Sequence, residues 1–61
     1  MRYWLIKKRG KQSQKTIAAK CGISQNYLSS IENGIRHPSV KVAKSIAEVL
    51  GFNWTKFYQD K

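Results

Sequence analysis

Sixty-one residues suffice for one domain, residues 1–61, with a single small core, since a chain this short hides only about 60% of its unfolded surface. Twelve lysines and arginines against three carboxylates give a formal charge of +9, which points to a polyanionic partner, nucleic acid or an anionic membrane surface. One cysteine, one histidine and scattered carboxylates cannot build a disulfide framework or a four-ligand zinc site, and they supply no nucleophile with a positioned base, so the chain is read as a non-enzyme without metal, cofactor or small-molecule ligand.

The chain opens on Met1 to Lys11, MRYWLIKKRGK, an apolar patch beside a basic run. Its apolar core, Tyr3 to Ile6, is too short for a signal peptide or a membrane span. It reads instead as a first helix with Tyr3 and Ile6 toward the core and Lys7, Lys8, Arg9 and Lys11 solvated or near phosphates. No targeting segment is visible, so the expected location is the cytoplasm, without a membrane partner. Ser13 then caps a second helix over about residues 14–21, whose Ile17, Ala18 and Cys21 share one face. The lone Cys21 reads as a small buried hydrophobe. Gly22 stops this helix, Ile23 pins the turn, and Ser24 caps a third helix over about 25–33 that Gly34 ends. Three residues between two capped helices fit a helix-turn-helix unit.

The third helix has a spare side. Leu28 and Ile31 define its inward face with Tyr27 flanking, whereas Asn26, Ser29, Ser30 and Asn33 point away. A solvated helix more often carries Glu and Lys there; amides and hydroxyls form directed hydrogen bonds and suit base edges in a DNA groove. Glu32 would repel phosphate from the outward face and lies nearer the Leu28 side, so it is expected to turn inward onto a cation of the first helix. His37, beside Pro38 in a loop, reads as a neighbour of solvent or phosphate. Ser39 caps a fourth helix over 40–50 with Ala43, Ile46, Ala47 and Leu50 at i, i+3, i+4, i+7, ended by Gly51. Asn53 caps a short last helix from Trp54 to about Tyr58. Phe52, Trp54 and Phe57 are expected to close the base of the core, leaving Tyr58 and some surface of Trp54 for a contact with a second copy.

Five motifs, SQ at Ser13, IAxxxGIS from Ile17, IENG from Ile31, the following RHPS, and AxxIAEVLG from Ala43, resemble the Cro/CI type of helix-turn-helix, the XRE family. The resemblance covers nearly the whole chain. It implies an all-α, five-helix, lambda-repressor-like domain that binds double-stranded DNA through its third helix and regulates transcription, commonly in bacteria, phages and mobile elements. Matched position by position, it assigns base reading to Gln25, Asn26 and Ser30, with Ser29 and Tyr27 beside them; Tyr27 also suits packing at the edge of the core. It places phosphate contacts at Gln14 together with the second helix's N-terminus, and at Asn33, Arg36 and Lys41. In an ungapped alignment Lys7 matches the family's basic partner for Glu32, with Arg9 as the alternative. The chain departs from the pattern at Gln12, where the family has an apolar residue, and at Gly10, one residue early.

The function expected from this resemblance is a repressor or Cro-like switch that binds a two-fold operator as a homodimer through Trp54 and Tyr58. The alternative is an antitoxin-type protein-interaction module that also binds DNA; nonspecific nucleoid or RNA binding is a third reading.

Overall fold

The computed structural model describes residues 1–59, which form four α-helices and a closing 3-10 turn, with no strand among them. The helices are α1 (Tyr3–Arg9), α2 (Gln14–Cys21), α3 (Gln25–Glu32) and α4 (Val40–Leu50); the turn spans Trp54–Tyr58. The expected fifth helix is therefore a single tight 3-10 element of five residues, a geometry used in short pieces.

Side chains start these elements. The Ser13 hydroxyl accepts from the Thr16 N–H at 3.1 Å, Ser24 from Tyr27 at 3.0 Å, Ser39 from Val42 at 3.2 Å, and Asn53 Oδ1 from Thr55 at 3.0 Å. Each satisfies one of the N–H groups that a helix start leaves without an intrahelical partner. Gly22 ends α2 in the left-handed region at φ +70°, and the Ile23 N–H then returns to the Ala18 carbonyl at 3.0 Å. That reversal lays Ile23 against the core and sends the chain into α3 within three residues.

The core consists of Leu5, Ile17, Ala18, Leu28, Ile31, Ala43, Ile46 and Phe57, one or more from every element. Trp4, Phe52 and Phe57 close its base edge to face, with ring centroids 5.2, 5.2 and 5.6 Å apart, the offset geometry that aromatic quadrupoles favour. On α1 the sequence expectation is corrected. Tyr3 is 73% exposed, Ile6 is half-buried, and Leu5 is the fully buried residue. Because the helix begins at Tyr3 with Arg2 at its N-cap, the inward stripe at i, i+3, i+4, i+7 reads Arg2, Leu5, Ile6, Arg9. Among the described residues no helix is long and apolar enough to cross a membrane.

Candidate nucleic-acid interface

The two faces of α3 separate cleanly. Leu28, Ile31 and Glu32 are buried, Gln25, Asn26 and Asn33 are exposed, and Ser29 and Ser30 are half-buried at the boundary. Past the helix the chain folds back: the N–H groups of Ile35 and Arg36 both donate to the Ser30 carbonyl, at 3.0 and 3.2 Å. This reversal brings the Arg36 guanidinium over the Tyr27 ring, 6.0 Å from its centroid, so that Ser24, Asn26, Tyr27, Ser30 and Arg36 line one open depression. Directional donors and acceptors, an aromatic ring and a permanent cation thus meet on one surface. Tyr27 is half-buried against the core, where packing at its edge was expected, and its ring also lies beneath Arg36.

The other expected residues are placed less uniformly. Gln25 stands exposed at the start of α3, and Lys41 is exposed on the first turn of α4; neither lines the depression. The Asn33 amide donates weakly to the Ser29 hydroxyl at 3.4 Å. Gln14 donates inward from Nε2 to Glu32 Oε1 at 2.8 Å, so one N–H of its amide is held by the buried carboxylate. The second N–H of that amide and the first backbone N–H groups of α2 are the donors left at this helix start.

Glu32 turns inward, at 2% exposure, but its cation is Arg9 and not Lys7. The Arg9 fork grips it bidentately, Nε to Oε2 at 2.7 Å and Nη2 to Oε1 at 3.1 Å. The reason is helical phase: Arg9 follows Leu5 by four residues and shares its face, whereas Lys7 follows by two, about 200° around the helix, and is exposed. Arg9 also donates to the Gln12 carbonyl at 2.9 Å, and the Gln12 side chain accepts from Lys20 at 3.3 Å. The polar residue at the family's apolar position therefore ties the α1–α2 loop by hydrogen bonds.

Sequence reasoning missed Arg2, which is buried to 7% exposure. Its Nη1 donates to the carbonyls of Ile31 at 2.6 Å and Arg36 at 3.1 Å, and its Nη2 lies 2.6 Å from His37 Nδ1. The signal was present in the spacing of Arg2, Leu5, Ile6 and Arg9, a core stripe with an arginine at each end. His37, expected beside solvent or phosphate, is exposed but held by Arg2 and by the Tyr58 ring, 5.3 Å away between centroids. Of the two expected dimer residues, Trp54 is half-buried beneath Lys44, whose ammonium is 5.2 Å from its ring, and Tyr58 is 41% exposed. Cys21 is half-buried, and burial pushes its thiol pKa up, which disfavours the nucleophilic thiolate.

The profile of the helix-turn-helix family matches residues 5–57. The HTH-type transcriptional regulator YqaF of Bacillus subtilis (strain 168) is 47% identical over 62 aligned positions, covering 98% of this chain and 82% of that protein. A second HTH-type transcriptional regulator, y4dJ of Sinorhizobium fredii, is 44% identical over 39 positions, 64% of this chain and 51% of that protein. No solved structure gives a significant match.

Proposed function

This chain belongs to the XRE-type helix-turn-helix family, and from that premise we propose that it is a sequence-specific, double-stranded-DNA-binding transcription regulator, a repressor or Cro-like switch. The observation that carries the reading is the outward face of α3, where Asn26, Ser30 and Tyr27 border one depression with Arg36. An α-helix fits the major groove, where amides and hydroxyls distinguish base pairs. Gln25, Asn26 and Ser30, with Ser29 and Tyr27 beside them, read bases. Arg36, Asn33, Lys41 and the N-terminus of α2 hold phosphates and set the register. The charge of +9 attracts any duplex; the short polar side chains select among them.

One recognition helix reads only a few base pairs, whereas helix-turn-helix dimers read two half-sites about 34 Å apart. The homodimer proposed here uses Tyr58 and the accessible part of Trp54, the exposed aromatic end of the domain. Selection of bound sites from random duplexes tests both parts, and a recovered palindrome is the expected result. Within the selected site, Asn26→Ala is expected to relax preference at one base pair per half-site, while Arg36→Ala weakens all sequences and lowers the slope of log K against log salt by about 1. Equal loss on selected and random DNA for Asn26→Ala, with no motif recovered, would defeat sequence-specific reading. Sedimentation on the operator tests the dimer, which Tyr58→Asp is expected to weaken; a wild type that fills the whole site as one chain defeats it.

A further inference from the structure

Arg2 joins three parts of the molecule that the DNA-binding reading otherwise leaves separate. Its backbone N–H donates to the Glu32 carbonyl at 2.7 Å, and its guanidinium reaches Ile31 O, Arg36 O and His37 Nδ1. The group also lies 5.8 Å from the Phe57 ring centroid. The end of α3, where helix carbonyls lack intrahelical donors, is thereby tied to the loop that presents Arg36.

The contact with His37 has a defined chemistry. A guanidinium only donates, so Nδ1 must accept and the neutral ring carries its proton on Nε2. A proton on Nδ1 removes that acceptor and sets a second positive charge against the first. Among the described residues, the groups shown facing His37 are the Arg2 guanidinium from the N-cap of α1, the Tyr58 ring from the 3-10 turn, and its chain neighbour Arg36, whose carbonyl Arg2 also holds. Glu32, the buried carboxylate on this side of α1, is already taken by Arg9 and Gln14.

We propose that Arg2 and His37 form a proton-sensitive latch that positions the Arg36 loop for operator DNA. This rests on the DNA-binding reading above. The latch is closed while His37 is neutral and opens when Nδ1 is protonated, so sequence-selective affinity is present at higher pH and falls as the pH falls. A simple charge effect has the opposite sign on DNA in general, because a histidinium near phosphate strengthens binding to any duplex.

The test measures binding to a selected and a random duplex at about pH 8 and about pH 5.5. For the wild type the ratio of selected to random affinity is expected to fall about tenfold on acidification. His37→Asn supplies an acceptor that does not titrate, and its ratio is expected to stay flat. His37→Phe keeps a ring against Tyr58 but accepts nothing, and its ratio is expected to be low at both pH values. A His37→Asn profile as steep as the wild type's would overturn the latch. A DNA-free arm separates this outcome from failure of the DNA-binding reading. Nitrogen NMR of the free protein is expected to show the Nε2–H tautomer, with protection of the Ile35 and Arg36 amides, taken relative to the intrinsic exchange rate at each pH, falling on acidification in the wild type and not in His37→Asn. An Nδ1–H tautomer, or protection that ignores pH, would reject the latch whether or not any duplex binds.

Discussion

α1 and α4 are fixed to the same domain by different forces. α4 buries only apolar side chains, Ala43, Ile46 and Ala47, whereas α1 buries Leu5 between two arginines that bond to α3 or the loop after it. Apolar burial is strong but has no direction. A guanidinium fork on a carboxylate has both direction and register. The contrast assigns the two helices different tasks: α4 supplies core, and α1 sets how α3 and its following loop are held. Because α3 carries the outward polar face, the polar side of the fold is the one closest to function.

Ile46→Ala should give the largest effect. Ile46 is fully buried, and such truncations cost about 2 to 5 kcal/mol through lost transfer energy and the cavity left behind. In a marginally stable small domain that is most of the folding free energy. Urea unfolding should show the loss with little dependence on salt. A change below about 1 kcal/mol would mean that the core collapses around the cavity and that apolar contacts do not fix α4 as described.

Next comes Arg9→Met with Glu32 intact. Removing one member of a buried pair strands the other, at a cost of about 3 kcal/mol, and Glu32 would retain only Gln14 of its two partners. Pairing the change with Glu32→Leu should recover most of that loss, because an apolar replacement leaves no buried charge. Stability of the two variants and the wild type, measured together, separates a network that orients α1 from one that merely stabilises it. Weaker binding to the selected duplex by the stable double variant is the outcome expected of an orienting network.

The same contrast explains what the sequence disclosed. For α4 every signal was local: the Ser39 cap, the Gly51 stop and apolar spacing that matched the buried face. The limits of α2 and α3 were equally legible, as was the inward turn of Glu32. For α1 the inward stripe contains residues that composition marks as surface, and Arg2 meets its partners 29 to 35 residues later. No local pattern reports that a carbonyl and an imidazole wait there. An ungapped alignment favours Lys7 for Glu32, whereas helical phase puts Arg9 on the Leu5 face. In the candidate interface, the outward position of Asn26 followed from helical phase, and Ser30 lies half-buried at the edge of that face. The inward bond of Gln14 and the placement of Arg36 over Tyr27 followed only from tertiary packing.

A smaller effect is expected at the starts of the two helices. Ser39→Ala removes the hydroxyl that receives the Val42 N–H and should cost about 1 kcal/mol. At α1 the N-cap is Arg2, whose side chain makes no capping bond. Its Arg2→Lys variant should therefore leave the first turn of α1 intact in amide exchange while loosening the loop after α3. Fraying at Tyr3 to Leu5 in that variant would mean that Arg2 supports its own helix more than its neighbour.

The smallest effect belongs to Lys7→Ala, which isolates helical phase from charge. Lys7 and Arg9 are both cations of α1, two residues apart, yet one is exposed and the other holds Glu32. Lys7 makes no ion pair with Glu32, so the substitution removes no buried partner. Alanine is also the better helix former by a small margin, and one fewer positive charge eases self-repulsion in a chain at +9. The unfolding free energy should stay within about 0.5 kcal/mol of wild type, as for ordinary surface changes, while Arg9→Met measured beside it loses several times more. If Lys7→Ala instead matched Arg9→Met, Glu32 would have to exchange between the two cations in solution. The carboxylate would then orient α1 in two registers, and the directional hold that distinguishes α1 from α4 would be lost.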